Sequence, residues 1–393
     1  MTDLKDYRDP RNPGGPLIPR AEWDLAPYNR WAFQNVRQIV PTAEVWRGPG
    51  PAQPLAEAPQ NLQELEFEID GTRLSIGQFL DESYTDGFIV LKKGAIVTEV
   101  YMNGMERRTK HLSQSVAKSI VGTVAGILNG RGELDFAAPV THYLPELEQT
   151  GYRGATVQQV MDMQSGVRFD ETYTAPDSHI AKVDAACGWK ELKPGWPDTM
   201  WKLILELKDM EAAHGESFRY RSIETDVIGF TLQRISGLPL AELVSRELWA
   251  PMGAEEDAYF TVDRAGYGLA DGGFNATLRD YARFALLLAN VGAARGKQIV
   301  PRSFLIDLPN GDHSKFGGDY RISLPEGAYH NQFWIEKPGE SVVICRGVFG
   351  QMIYVDARHE FCAVKLSSWP DFTNPLRTRT ATAAIRAIRA VLG

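Results

Sequence analysis

The stretch that most restricts how this chain folds is residues 111–130, HLSQSVAKSIVGTVAGILNG. From Val116 onward its apolar residues (Val116, Ala117, Ile120, Val121, Val124, Ala125, Ile127, Leu128) run nearly all round a helical wheel. A helix apolar on every side has to be buried, so the rest of the chain must enclose it. Gly122 and Gly126 would weaken an exposed helix, but in a core they let neighbours approach closely. Asn129-Gly130 predicts a left-handed stop.

Ser115 stands at the head of this helix, three residues before Lys118. One turn apart, the two side chains share a face. Backbone N–H groups at a helix start are unpaired, and they offer donors to a developing oxyanion. A lysine at the mouth of an apolar helix is partly desolvated. Desolvation lowers its pKa, so a neutral amine can take the serine proton. This is the Ser-Lys form of nucleophile activation. Two fixed positions in four arise easily by chance, and a surface match would be a capping serine beside a solvated lysine. Here the match is the only Ser-x-x-Lys in the sequence, and it opens a buried helix. Such a pair also needs a group that relays the proton to the leaving atom. Tyr220, just before a predicted helix over residues 223–235, is the candidate.

Other chemistries drop out. A net charge of −8 argues against a nucleic-acid partner. There is no H-E-x-x-H, no Walker loop and no Gly-x-Ser-x-Gly elbow, and the seven histidines are scattered. No metal and no organic cofactor is expected. No apolar run reaches 18 residues, so no membrane span is expected. Cys187, Cys345 and Cys362 form no C-x-x-C pair and suit a reducing compartment. The start, MTDLKDYRDP, lacks a signal-peptide pattern. A cytoplasmic location is therefore expected.

Residues 1–28 read as an extended arm, with Trp23, Tyr28 and Trp31 suggesting contact with the body. A short helix is expected over 30–39, and loop over 41–60. Residues 87–91 and 95–101 read as a hairpin turned at Lys92-Lys93-Gly94. Thr156 should cap a helix over 157–163. Residues 167–199 show no period and read as a long surface loop. Helices are expected over 200–207, 241–248 and 278–289. Three β-like runs, 341–345, 351–355 and 362–366, precede a last helix over 375–392. Strands, then helices, then strands predict an α+β fold: an antiparallel sheet flanked by helices, with an all-α region inserted. The expected division is an α/β part, 1–107 with 275–393, and a mostly helical part, 108–274.

These pieces together resemble the penicillin-recognising serine hydrolases: class C β-lactamases, D-alanyl-D-alanine peptidases and related carboxylesterases. Ser115-Val-Ala-Lys118 looks like their first motif. Tyr220-Arg221-Ser222 looks like their Tyr-x-Asn motif, with Ser222 in place of asparagine. Their third motif would fall at Cys345-Arg346-Gly347, where only the glycine is kept. Longer irregular pieces, such as Val160-Met-Asp-Met-Gln164, Gly347-Val-Phe-Gly-Gln351 and Val364-Lys-Leu-Ser-Ser-Trp-Pro-Asp371, resemble the branch that cleaves linear nylon oligomers. The resemblance implies a β-lactamase/transpeptidase-like fold with a cleft between an α/β and an all-α part. It implies Ser115 as nucleophile, Lys118 as its assistant and Tyr220 as proton shuttle. It implies an oxyanion hole from the N–H groups of Ser115 and Val348. Tyr173 matches a lid tyrosine and Asp184 an acid that holds a substrate ammonium. Trp189 and Trp334 match cleft walls, and Asp271 a polar cleft residue. Phe349 stands where that branch has histidine, a departure that bears on the substrate more than on the chemistry. The implied partner is a small-molecule linear amide, like a 6-aminohexanoate dimer. A short-chain ester is the alternative, and a non-catalytic binder on the same scaffold is a third reading. A homodimer is left open.

Overall fold

The structure is a computed structural model that describes Asp9, Gly14 and residues 17–393. Most of the predicted N-terminal arm before residue 17 lies outside these residues. The described part of the arm does lie on the body: Trp23 is fully buried, edge-on to Trp189 at 5.3 Å.

Twelve strands build two sheets: β1 (Thr42–Val45), β2 (Ala56–Glu57), β3 (Thr85–Lys92), β4 (Ala95–Tyr101), β5 (Lys110–Leu112), β6 (Ala258–Thr261), β7 (Phe274–Thr277), β8 (Ala328–His330), β9 (Phe333–Ile335), β10 (Val342–Gly347), β11 (Gln351–Asp356) and β12 (Phe361–Ser367). The large sheet has the order β8-β9-β10-β11-β12-β3-β4-β2, antiparallel except where β2 meets β4. The small sheet runs β1-β6-β7-β5. The expected part boundary at residue 275 falls inside β7, which pairs with both β5 and β6.

Alternation along β3 assigns its two faces. Phe88 and Val90 join a core with Ala384, Ile385 and Ile388 of the last helix. Ile89 and Leu91 join the larger core, which holds helix α1 (Val116–Gly130). Among the other helices are α2 (Val157–Met161), α3 (His179–Ala186), α4 (Met200–Glu206), α5 (Ile223–Ser236), α6 (Leu278–Ala289) and α7 (Pro375–Leu392). Every residue of α1 from Val116 to Leu128 is buried. Its glycines are contact points. A Cβ on Gly122 would lie 2.7 Å from the Gln332 Cβ, and one on Gly126 2.6 Å from the Phe304 ring.

The hairpin, the capped helix at Thr156 and the long last helix follow the sequence expectations. Other expectations need correction. The left-handed residue that closes α1 is Gly132, not Asn129-Gly130; Gly132 N–H donates to the Asn129 carbonyl at 2.9 Å and Glu133 N–H to that of Leu128 at 3.0 Å. The helix expected over 30–39 is two pieces, Asn29–Ala32 and a 3₁₀ turn at Val36–Gln38, because Asn35 leaves the helical region. The loop expected over 41–60 contains β1 and β2, which exist because distant strands pair with them. The stretch 167–199 contains α3, whose cap is Ser178 accepting from Ala181 N–H. Among the described residues no single helix is long and apolar enough to cross a membrane.

Candidate active site

Strand β5 leads straight into the head of α1. Ser113 N–H donates to the Phe274 carbonyl at 2.9 Å, which fixes the approach against β7. Gln114 then turns left-handed, with φ +50°, a strained backbone for a non-glycine residue. This places Ser115 at the N-cap, with its hydroxyl free to face the cleft. Lys118 Nζ is 2.9 Å from Ser115 Oγ and donates to the Asp271 carbonyl at 2.6 Å. Burial holds the Lys118 amine below the ordinary lysine value, while Asp271, Glu171 and Asp226 pull it back up. The phenol of Tyr220 faces Ser115. Burial raises its pKa and Glu171 adds to that rise; the contact with Ser115 pulls the other way. The Lys118 ammonium lies 5.2 Å from the centre of the Tyr220 ring. The structure therefore brings a hydroxyl, an amine and a phenol into one corner, which is the arrangement an acyl-transfer site needs.

Aromatic rings set the positions of these groups. Tyr220 stacks on Trp334 of β9 at 5.3 Å. Tyr173 stacks on Phe372 at 5.2 Å, and Phe372 in turn packs on Phe349. Ser115, Tyr173, Tyr220, Trp334, Arg346 and Val348 line a cavity of about 90 Å³. Ser115 and Val348 also line a second cavity of about 40 Å³, so both residues border the two cavities.

The two cavities differ in charge. Asp24, Asp184 and Asp271 line the smaller one, together with Gln114 and Trp189. Burial and the neighbouring Asp24 push the Asp184 carboxyl well above its ordinary value, and Lys190 offsets part of this. Lys190 is paired with Asp24. The amide nitrogen of Gln114 is buried with no partner among the described residues. On the other side, the Arg346 guanidinium lies 4.9 Å over the Trp334 ring and donates to Ser323 Oγ at 3.1 Å. No carboxylate among the described residues pairs with it, and burial lowers it to about 10. It also borders an open cleft of about 700 Å³.

Of the nine residues named from the sequence, eight line these cavities (Ser115, Tyr220, Val348, Tyr173, Asp184, Trp189, Asp271 and Trp334), and Lys118 lies in contact with Ser115. Trp189 is anchored by its indole N–H to Thr261 Oγ1 at 3.0 Å. The sequence reading did not assign Asp24, Glu171 or Arg346 to the site. Glu171 accepts from Ser222 Oγ at 2.5 Å, Ser222 N–H at 2.9 Å and the Tyr173 hydroxyl at 2.9 Å, so it ties the predicted lid residue to the start of α5. Arg346 had a signal, a cation inside the third-motif position. Asp24 and Glu171 had none, because contacts distant in sequence bring them to the site.

Three comparisons with known proteins bear on this geometry. A family model described as Beta-lactamase matches residues 79–387. A 6-aminohexanoate-dimer hydrolase from Paenarthrobacter ureafaciens is 37% identical over 89% of this chain and 88% of its own. A solved structure from Bacillus anthracis, described as a candidate 6-aminohexanoate-dimer hydrolase, superposes with a TM-score of 0.86 at 29% identity, over 95% of this chain and 96% of its own. A family VIII carboxylesterase has a TM-score of 0.61 at 18% identity, over 79% of this chain and 95% of its own, a likeness of fold alone.

Proposed function

The chain belongs to the beta-lactamase family, and from that premise we propose that it is a serine amidohydrolase acting on linear amides of the 6-aminohexanoate-dimer type. The observation that carries this reading is the 2.9 Å contact of Lys118 Nζ with Ser115 Oγ, set between an acid-lined cavity and an arginine-lined one. Ser115 Oγ attacks the amide carbon and its proton passes to Lys118. The N–H groups of Ser115 and Val348 receive the negative oxygen. The Tyr220 phenol gives a proton to the departing amine nitrogen as the C–N bond breaks, and takes one back from Lys118. Water then cleaves the Ser115 ester by the same groups in reverse, and the free acid leaves.

The surroundings favour a substrate charged at both ends. Asp184, with Asp24 and Asp271 nearby, suits a terminal ammonium. Arg346, without a carboxylate partner among the described residues, suits a substrate carboxylate. Positioning by two ends orients the central amide, an effect worth several kcal/mol of the barrier.

The test compares the linear amide dimer with a neutral nitrophenyl ester. Ser115→Ala is expected to abolish turnover of both, and mass spectrometry should find a fluorophosphonate on Ser115 of the wild type. Asp184→Asn should raise KM for the dimer and leave the ester nearly unchanged. An active Ser115→Ala variant would overturn the reading. Equal losses on both substrates from Asp184→Asn would remove the ammonium role.

A further inference from the structure

We infer that Asp226, on α5 and outside the reacting groups, is a positioning residue that aims the Asp271 carbonyl at Lys118 by clamping the turn 267–271. The inference rests on the reading of Ser115 and Lys118 given above. Asp226 is fully buried. Its Oδ1 accepts the Ala270 N–H at 3.0 Å and the Tyr267 hydroxyl at 3.2 Å, and the Asp226 carbonyl accepts the same hydroxyl at 3.2 Å. Its Oδ2 has no partner among the described residues. The next residue after Ala270 is Asp271, whose carbonyl takes the 2.6 Å hydrogen bond from Lys118 Nζ. The chain of contact from α5 to the catalytic amine is therefore one carboxylate, one peptide unit and one carbonyl long.

The face of α5 is shaped for this turn at more than one position. Gly229, one helical turn after Asp226, has no side chain there for a reason: a Cβ would lie 2.4 Å from the Tyr267 hydroxyl and 3.1 Å from the Ala270 Cβ. Phe230 stacks on the Tyr267 ring at 3.9 Å. At the far side, Leu269 N–H donates to the Thr261 carbonyl and Gly273 N–H to the Leu269 carbonyl, each at 2.9 Å. Held from both sides, the turn presents two groups at once. The Asp271 carbonyl goes to Lys118, and residue Asp271 also lines the acid cavity. The charged or titratable groups facing Lys118 are Asp271 from this turn, Glu171 from the lid segment, Asp226 from α5, and Tyr220. Without the clamp the carbonyl swings away, and the amine loses both its aim at Ser115 and the partner that steadies its charge.

The experiment uses the full chain and the neutral nitrophenyl ester, which does not need the acid cavity. Asp226→Ala is expected to lower kcat by about 10²-fold, the cost of a small misplacement of a reacting group, with KM nearly unchanged. It should also move the acid limb of the kcat/KM pH profile, which reports Lys118. Asp226→Asn keeps an acceptor for Ala270 and Tyr267 and is expected to restore most of kcat. The inference is overturned by an Asp226→Ala variant with normal kcat, by a loss confined to KM, or by an Asp226→Asn variant as poor as the alanine one. Should Asp226→Ala not fold, Tyr267→Phe and Gly229→Ala disturb the same turn and carry the same criteria. Ser115→Ala separates the two claims. Its retained activity would sink the proposed function, whereas a dead Ser115→Ala beside a fully active Asp226→Ala would sink only the clamp.

Discussion

At the scale of single residues, the site depends on moving two ionisations in opposite directions. Burial lowers the Lys118 amine and raises the Tyr220 phenol. Near neutral pH the phenol keeps its proton to give, and the amine is closer to losing its own than a surface lysine would be. Activity on a neutral ester is therefore expected to rise with pH along a limb centred below the ordinary lysine value of 10.5. Lys118→Met should erase that limb. Tyr220→Phe should cost about 10²–10⁴-fold in kcat, the usual contribution of a positioned proton donor. A pH series of kcat/KM checks both. The same shift bears on stability. The unfolded lysine binds a proton more tightly than the folded one, so folding gains with pH between the lowered value and 10.5. Ser115 and Lys118 could be read locally, since their roles follow from spacing on one helix. Tyr220 was a candidate from its place before a predicted helix, and the family resemblance gave it a motif. Asp24 and Glu171 were beyond reach, because neither sits in a local pattern.

At the scale of elements, what could be read was what carries its own signal. Helix α1 announces itself by apolar residues nearly all round it, and the β3–β4 hairpin by its Lys-Lys-Gly turn. Strands β1 and β2 have short, mixed sequences, and only pairing with β6 and β4 makes them strands. Helix α3 was hidden inside a stretch dense in prolines and charges. Close approach at α1 is testable. Gly122→Ala and Gly126→Ala press a methyl into Gln332 and Phe304, and each should cost about 1–3 kcal/mol by overpacking. Urea melts measure this. A midpoint unchanged from wild type would show that the neighbours yield freely.

At the scale of the whole molecule, the N-terminal arm is part of the cleft. The Trp23 indole N–H donates to the Trp189 carbonyl at 3.0 Å, and Asp24 pairs with Lys190. The arm thereby holds the segment that carries Asp184. Trp23→Ala should raise KM for the amine-bearing amide more than for the neutral ester, which steady-state kinetics resolves. The pairing of β3 with β12 has a different consequence, for the order in which a ribosome delivers the chain. These neighbours lie in the middle of the large sheet, yet β3 ends at Lys92 and β12 begins only at Phe361, so β3 is made long before its partner. Until then the half-built sheet has an open, sticky flank in the very place where a finished protein is most protected. Nascent chains of this protein thus cannot close the sheet until β12 emerges, so products truncated before it should clump, and slower folding than a helical protein of equal length should follow from such distant pairing.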